Sequence, residues 1–241
     1  MWRDKTLGVV LPTYNEKDSI AECIRRFEAI PEVDRVVVVN NNAVAGTSEE
    51  VATTGAIEVH ETTQGYGAAI QRGLREAGTD LVAVCEPDGT FEPEDLRKLL
   101  AFLPDCDLVI GSRTVSNFIW DGANMGWFLQ WGNWVVAKLI EVLYNTSYLS
   151  DVGCTFRVMT AERAGDILRR STLDGSAYGL EMLLIAVITR MRMVQVPVNY
   201  HPRVGHSSVT GELGKTVSLG LEMVRLTVRM RLRARRIRRG R

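Results

Sequence analysis

Short runs of β-branched residues alternate with helical patterns along this chain, and this alternation constrains its fold more than any other feature. The runs end in polar or turn residues, as strands do, and they cover 7–12, 35–40, 56–61, 80–86, 106–111 and 193–200. Between the first four runs, apolar residues recur at helical spacing, for example at Ile20, Ile24 and Phe27. Alternating strands and helices predict an α/β fold with a mostly parallel, Rossmann-like sheet flanked by helices.

Polar segments directly follow three of the predicted strands. PTYNE (12–16) follows the first strand, NNN (40–42) the second and EPD (86–88) the fourth. Ligands of such sheets bind outside the carboxyl ends of the strands. We therefore expect one crevice to collect all three segments.

The EPD segment places two carboxylates, Glu86 and Asp88, one residue apart at the end of an apolar strand. Like charges this close raise each other's pKa and repel, which costs stability unless a cation lies between them. The segment therefore indicates either a cation site or a plain acidic turn.

The chain can bury one substantial core, because 46% of its 241 residues are hydrophobic. We expect one domain over 1–215 and a basic helical tail over 216–241.

No run approaches the roughly 18 uninterrupted apolar residues of a membrane span, and the N-terminus lacks the charged-then-apolar plan of a signal peptide. Four widely spaced cysteines without a CxxC pair indicate neither a disulfide framework nor a zinc site. Because the sequence indicates neither a membrane span nor a signal peptide, a cytoplasmic location is expected.

The net charge of zero hides a strong asymmetry. Residues 221–241 carry nine arginines against the single acid Glu222, which leaves 20 of the 29 basic and 28 of the 29 acidic residues in 1–220. A basic tail on an acidic body is typical of proteins that meet phosphate-rich surfaces, either anionic lipid or nucleic acid. Because the body has no basic face and no base-stacking motif, we expect no nucleic acid partner.

Apolar residues form two stripes along the predicted tail helix, with arginines in both gaps. One stripe contains Val217, Leu221, Val224, Val228 and Leu232, and the other contains Leu219, Met223, Leu226 and Met230. We expect one stripe to pack on the domain and the other, with the arginines, to contact an anionic membrane surface.

Trp127, Trp131 and Trp134 also recur at helical spacing, and they fit either core packing or a lipid interface.

A series of motifs over residues 7–208 resembles the family 2 glycosyltransferases. The motifs are VVLPTYNE (9–16), VVVVN (36–40), QGYGAAIQRGLREA (64–77), EPDGTFEPEDL (86–96), IGSR (110–113), SDVGCTFR (150–157) and VPVNYHPRVGHSS (196–208). Within the family, the chain is most similar to the dolichyl-phosphate mannose synthase and polyprenyl-phosphate glycosyltransferase branch. The resemblance implies a GT-A fold and an inverting transfer of a sugar from a UDP- or GDP-sugar to a lipid-linked acceptor of the polyprenyl phosphate type. Such an enzyme would be peripheral at the cytoplasmic face of the membrane.

The resemblance also gives the EPD segment a role. In the family, this position holds Mg²⁺ or Mn²⁺ against the diphosphate of the donor, and hard oxygen ligands suit these cations. Asp88 is expected to bind the metal directly, and Glu86, which replaces the usual aspartate, more weakly or through water. Thr90 stands where many relatives have glutamine, so the third ligand is open.

The donor pocket is implied by further motif positions. They are Pro12, Thr13, Tyr14, Asn15, Glu16, Asn40, Asn42, Gly67, Glu86, Pro87 and Asp88. Glu16 is expected to accept hydrogen bonds from the ribose, although Asn15 could equally be a helix cap. Asn40 and Asn42 would contact the base, either uracil or guanine. Gly67 would let backbone N–H groups approach phosphate, or would simply form a turn.

The acceptor side begins with Asp151, where the family has a carboxylate close to the acceptor. It would act as a general base or position the attacking group; a cap or an ion-pair partner for Arg157 is the alternative. The resemblance assigns acceptor or phosphate binding to four more residues: Arg113, Arg157, Arg203 and Ser207.

Two departures from the family pattern bear on the acceptor. Relatives that use polyprenyl phosphate commonly carry an arginine in the stretch that corresponds to 125–133 and a lysine after Ser207, but this chain has no arginine there and has Ser208. The missing cations keep a soluble glycosyltransferase that acts on a hydroxyl of a small molecule or glycan as the alternative. A catalytically silent nucleotide-binding homologue is the second alternative, because Glu86, Thr90 and the asparagines at 40–42 depart from the pattern.

Overall fold

The computed structural model describes residues 1–123, 127–146, 148–205 and 213–239, and its strands form one seven-stranded sheet. The strands are β1 (Leu7–Thr13), β2 (Arg35–Asn40), β3 (Ile57–His60), β4 (Leu81–Val84), β5 (Leu108–Ser112), β6 (Arg157–Thr160) and β7 (Met193–Pro197). Their order is β3-β2-β1-β4-β6-β5-β7, and only β6 runs antiparallel to its neighbours within this sheet. The predicted α/β fold with a mostly parallel sheet is confirmed.

Two groups of helices pack with the sheet, as in a doubly wound fold. The helices are α1 (Lys17–Glu28), α2 (Thr47–Val51), α3 (Tyr66–Glu76), α4 (Leu96–Phe102), α5 (Trp127–Tyr144), α6 (Ala161–Arg170), α7 (Tyr178–Thr189) and α8 (Leu213–Arg238). Helices α3, α6 and α7 contact one another, whereas α1 contacts α2 and the short turn before α4. The core lies between these helices and the central strands.

Strand β1 is buried at every residue because it pairs with β2 on one edge and β4 on the other. Helix α3 packs closely over this region, and Gly73 makes the approach possible, since a Cβ at this position would clash with the side chain of Val10. Close packing at the middle of β1 fixes the loops at its carboxyl end, where the site is built.

Helix α8 packs against α5 and α7 along one of the two predicted stripes. Leu226 and Met230 are buried, whereas Val228 is exposed and Leu232 is 82% exposed. The Tyr144 hydroxyl donates to the carbonyl of Thr227 at 2.8 Å and so ties α5 to α8. Val217 of the outer stripe lies outside the side chains that the structure describes. The predicted domain boundary after residue 215 falls inside α8, and the division into two units stays a prediction.

The tryptophans of α5 do not pack in the core. Trp131 is 63% exposed and Trp134 is also exposed, while Val136 and Ile140 on the opposite side of the helix are buried. The side chain of Trp127 lies outside the described residues. Core packing is therefore the wrong explanation for Trp131 and Trp134. None of the helices in the described ranges is long and apolar enough to cross a membrane.

Candidate active site

The carboxyl ends of the strands β1 and β4 lie side by side, and the region between the loops that follow them is called the crevice here. The loop after β1 carries Glu16, and the loop after β4 carries Glu86 and Asp88. The two loops are held together because the Ser19 hydroxyl, in the first turn of α1, donates to the Pro87 carbonyl at 2.6 Å. The sequence correctly brings PTYNE and EPD together, but Ser19 is a contact that no motif indicates.

The PTYNE turn is fastened by its own glutamate. Oε2 of Glu16 accepts hydrogen bonds from the backbone N–H groups of Tyr14 and Asn15 at 2.7 and 2.9 Å. Glu16, and not Asn15, occupies the N-cap position directly before α1, so the alternative role of Asn15 as the helix cap is wrong. Pro12 and Thr13 are buried in β1, which leaves Tyr14, Asn15 and Oε1 of Glu16 on the crevice side.

Asp88 is 2% exposed and is oriented by its own loop. Its Oδ1 accepts from the N–H and the hydroxyl of Thr90 at 2.9 and 2.5 Å. Its Oδ2 lies 2.9 Å from Nη2 of Arg203. Gly89 has φ of +79°, a left-handed conformation that glycine adopts without strain, and this turn lets Thr90 fold back onto Asp88. Thr90 therefore orients the carboxylate that is predicted to bind the metal.

Glu86 is partly buried beside Asp88, and its electrostatics fit a cation site. Burial and the neighbouring charge of Asp88 raise the pKa of Glu86 to about 7, while Arg203 and Arg113 oppose the rise. Among the described residues, no cluster of three or more histidine, cysteine or acidic side chains could hold a metal alone. Two carboxylates suit a Mg²⁺- or Mn²⁺-type ion that takes its other ligands from substrate phosphates and water.

The asparagines after β2 are mostly structural. Asn40 is buried, and its Nδ2 donates to Ser48 and Glu58 at 3.1 and 2.9 Å while its Oδ1 accepts from the N–H of Ala43 at 2.8 Å. Both hydrogens of its amide nitrogen are used within the protein, so Asn40 could contact a base only through the remaining lone pair of Oδ1, and its predicted base contact stays a prediction. Asn42 is exposed, and its Nδ2 donates to the carbonyl of Thr62 at 3.3 Å and to Oε1 of Gln64 at 3.0 Å, so its predicted base contact would likewise use Oδ1.

Gly67 also has a packing explanation. It is buried in the first turn of α3, and a Cβ there would lie 2.6 Å from Cβ of Tyr178. Close packing against α7 therefore accounts for this glycine, and the predicted approach of its N–H to phosphate stays a prediction.

Asp151 is bound to Arg113 in a buried, two-pronged ion pair. Nε of Arg113 is 2.9 Å from Oδ2 of Asp151, and Nη2 is 3.0 Å from Oδ1. The N–H groups of Arg113 and Gly153 supply two more donors at 3.0 and 2.9 Å. All four lone-pair positions of the carboxylate are thus occupied, and its side chain is 0% exposed.

The electrostatics of Asp151 follow from these contacts. Burial alone would raise its pKa, but the charge and hydrogen bonds of Arg113 hold the pKa below its ordinary value. A saturated carboxylate of low pKa is a poor proton acceptor, so the predicted role as general base does not fit this geometry. Asp151 instead orients Arg113, and its ion-pair partner is Arg113, not Arg157.

Arg157 does not reach the crevice surface. It is 2% exposed, and its guanidinium donates to the carbonyls of Cys154 and Gly179, the latter at 3.0 Å. Burial lowers the pKa of Arg157. The predicted phosphate contact of this residue is therefore wrong, and its role is to support the loop before β6.

Arg203 reaches the crevice from the segment after β7. Its Nη2 contacts Asp88 and lies 3.4 Å from Oε1 of Glu16. Ser207, the other residue predicted in this segment, lies outside the described residues.

Sequence reasoning also missed Gln195 of β7. Its Oε1 accepts from the N–H groups of Ser150 and Asp151 at 2.6 and 3.1 Å and so holds the Asp151 loop.

Comparison with known proteins agrees with this architecture. The model of glycosyl transferase family 2 matches residues 8–163. The low-salt glycan biosynthesis hexosyltransferase Agl6 of Haloferax volcanii is 31% identical over 209 residues, which are 85% of this chain but only 50% of that protein. The undecaprenyl-phosphate mannosyltransferase of Micrococcus luteus is 30% identical over 222 residues, covering 84% of this chain and 86% of that protein.

A solved structure extends the likeness of the fold. The glucosyl-3-phosphoglycerate synthase of Mycobacterium tuberculosis, in complex with Mn²⁺, UDP and glucosyl-3-phosphoglycerate, superposes with a TM-score of 0.69 at 18% identity, covering 95% of this chain and 80% of that chain. The fold is thus the GT-A fold that the motifs predicted. With the family model over residues 8–163 and the crevice at the ends of β1 and β4, this chain belongs to glycosyltransferase family 2.

Proposed function

We propose that this protein transfers a sugar from a metal-bound nucleoside diphosphate sugar to a polyprenyl phosphate type lipid. The observation that carries the choice of acceptor is the saturated Asp151, which leaves Arg113 oriented and the site without a base at this position. A hydroxyl acceptor needs a base to take its proton. A phosphate monoester is largely ionised at pH 7, since its second pKa is about 6, and it needs cations instead.

The donor would lie across the loops after β1 and β4. Glu16 has one carboxylate oxygen, Oε1, directed to the crevice, and it is suited to accept from ribose hydroxyls. Glu86 and Asp88 would hold Mg²⁺ or Mn²⁺, and a cation bound there would neutralise the charge on the departing nucleoside diphosphate. Asn42, the one asparagine of the three at an exposed position, would contact the base, and the proposal includes both UDP and GDP as leaving groups.

The acceptor phosphate would be bound by Arg113 and Arg203. Guanidinium groups bind phosphate oxygens in pairs, and both arginines lie near enough to Glu86 for their charges to lower its pKa, which supports a shared phosphate site. Asp151 holds Arg113 so that it can present its remaining N–H groups. Attack by the phosphate oxygen from the side opposite the diphosphate would invert the anomeric centre. The name of the Micrococcus luteus relative, an undecaprenyl-phosphate mannosyltransferase, supports this acceptor class.

The outer face of α8 would bring the crevice to its lipid substrate. Exposed Leu221, Val228 and Leu232 alternate there with exposed arginines, and the buried face of the same helix fixes it to the domain. Basic residues near an anionic membrane contribute about 1 kcal/mol each. We therefore propose a peripheral location at the cytoplasmic membrane face, reached through α8.

The test is a transfer assay with a panel of UDP- and GDP-hexoses, Mn²⁺ and a detergent-dispersed polyprenyl phosphate. Formation of a glycosylated lipid with one donor is the expected result, and Asp88→Asn is the inactive control. Transfer to a soluble glycan or small molecule in place of the lipid would favour the soluble enzyme. Neither transfer nor hydrolysis of any donor would favour the silent nucleotide-binding homologue.

A further inference from the structure

Arg203 joins the two acidic loops of the crevice. Its Nη2 lies 2.9 Å from Oδ2 of Asp88 and 3.4 Å from Oε1 of Glu16. The following residue is fixed to the same loop, because the N–H of Val204 donates to the Asp88 carbonyl at 2.9 Å. Backbone and side chain together hold this arginine on the carboxylate that the metal would use.

Asp88 has one oxygen available to a ligand in the crevice. Its Oδ1 accepts two hydrogen bonds from Thr90, which occupy both lone pairs of that oxygen. A divalent cation would therefore bind Oδ2, the oxygen that already accepts from Arg203. A guanidinium and a divalent cation on one carboxylate oxygen repel each other at close range. The two cations cannot both be bound there without loss.

Arg203 is able to leave this position. Its side chain is 24% exposed, whereas that of Asp88 is 2% exposed, so the arginine faces solvent and the aspartate does not. A long side chain with several rotatable bonds can turn away from Asp88 while Val204 keeps the backbone in place. The acceptor phosphate of the proposed reaction is an anion to which the released guanidinium could bind.

We infer that Arg203 couples the two substrates: the metal of the donor displaces it from Asp88, and the released guanidinium then binds the acceptor phosphate. This inference rests on the proposed function. It implies that donor loading favours acceptor binding and, by thermodynamic reciprocity, that an acceptor phosphate favours metal binding. The same residue thus competes with one substrate and assists the other.

The experiment measures Mn²⁺ affinity by electron paramagnetic resonance, with Mn²⁺ alone and then with farnesyl phosphate present. Arg203→Gln should bind Mn²⁺ more tightly than the parent, by a factor in the roughly 5- to 150-fold range of typical couplings. Arg97→Gln is the matched control, because it removes one positive charge from an exposed ion pair with Glu32 outside the crevice. Its Mn²⁺ affinity should equal that of the parent.

Farnesyl phosphate should tighten Mn²⁺ binding in the parent and in Arg97→Gln but not in Arg203→Gln. Unchanged or weaker Mn²⁺ binding by Arg203→Gln would overturn the inference, since the arginine would then assist the metal rather than compete with it. Coupling that persists in Arg203→Gln would also overturn it, because the phosphate would then contact the metal directly. If the parent binds no Mn²⁺ at all, the proposed metal-dependent function fails together with the role of Arg203. The two outcomes described before it overturn only the role of Arg203, because the parent still binds Mn²⁺ in both.

Discussion

Removal of the negative charge at Asp151 tests the most specific feature of the site, its ion pair with Arg113. In Asp151→Asn, the guanidinium of Arg113 keeps its position but loses both charged contacts, at 2.9 and 3.0 Å. The amide nitrogen of the new asparagine would also face two donors in either orientation: Nε and the N–H of Arg113, or Nη2 of Arg113 and the N–H of Gly153. Breaking one side of a buried pair costs about 3–5 kcal/mol. Because Arg113 is 14% exposed and keeps some contact with water, we expect about 3 kcal/mol.

Urea unfolding followed by circular dichroism measures this loss as a fall in the midpoint at constant m-value. The double variant Arg113→Gln/Asp151→Asn should lose less stability than the sum of the two single variants, because it leaves no unpaired charge. The pair's contribution is present above the unfolded pKa of aspartate, about 3.9, and it is lost as the pH falls through the lower folded value. The gap between parent and Asp151→Asn should therefore narrow below about pH 4.

The kinetics of the same variant separate orientation from base catalysis. If Asp151 orients Arg113, Asp151→Asn should raise the KM for a phosphate acceptor far more than it lowers kcat. A lost general base would instead lower kcat by about 10²-fold or more at an unchanged KM. A stability loss below about 1 kcal/mol together with a purely kcat defect would refute the orienting role.

Three more predictions follow from the crevice and from α8. Asp88→Asn should abolish the Mn²⁺-dependent tightening of UDP or GDP binding in calorimetry while the fold is kept; equal metal dependence in variant and parent would contradict the assignment. Because the pKa of Glu86 is about 7 and its ionised form would bind the cation, Mn²⁺ affinity should rise between pH 6 and pH 8, and Glu86→Gln should flatten that rise. Changing Arg225, Arg235 and Arg236 together to glutamine should weaken co-sedimentation with anionic vesicles at low salt and have little effect at high salt, where the Debye length falls to about 3 Å at 1 M; equal pelleting at low salt would remove the membrane role from α8.

The last of these tests spares the buried face of α8 for a structural reason. Leu226 and Met230 are part of the hydrophobic core, so deletion of 221–241 would expose apolar surface as well as remove charge. Arg231 is left unchanged because its Nε donates to the carbonyl of Leu143 at 2.6 Å. Substitution at exposed arginines alters the charge alone.

The strands were predictable because the centre of this sheet is buried on both faces, and burial requires continuous apolar runs such as the four valines at 36–39. Strand β6 was not predictable from the sequence, because its segment RVMT is only four residues long and begins with an arginine. Its position depends on pairing with β4 and β5, which lie far from it in the sequence. The local pattern of apolar residues therefore identified the parallel strands but missed β6, the antiparallel strand between β4 and β5.

In the site, too, the position of a residue could be predicted from the neighbouring sequence, whereas its hydrogen-bond partners, which are distant in sequence, could not. Glu86 and Asp88 could be assigned to the crevice because the carboxyl ends of parallel strands share one edge of the sheet. The pairing of Asn40 could not be read from the NNN segment, because Glu58, 18 residues further on, accepts from its amide. Likewise, the partner of Asp151 is 38 residues earlier, at Arg113, and nothing in the motif SDVGCTFR indicates it. Sequence identified where polar groups gather, and tertiary structure decided which of them are already paired.

The most direct test of the account compares two acceptors that differ by one phosphate. Initial rates of sugar transfer to farnesyl phosphate and to farnesol would be measured at pH 7 with Mn²⁺ and the donor that the protein accepts. Because the crevice presents Arg113 and Arg203 and its carboxylate at Asp151 is saturated, transfer to farnesyl phosphate should be faster by at least about 100-fold, the loss expected for a hydroxyl acceptor without a general base. Equal or faster transfer to farnesol would contradict the assignment of a phosphate acceptor.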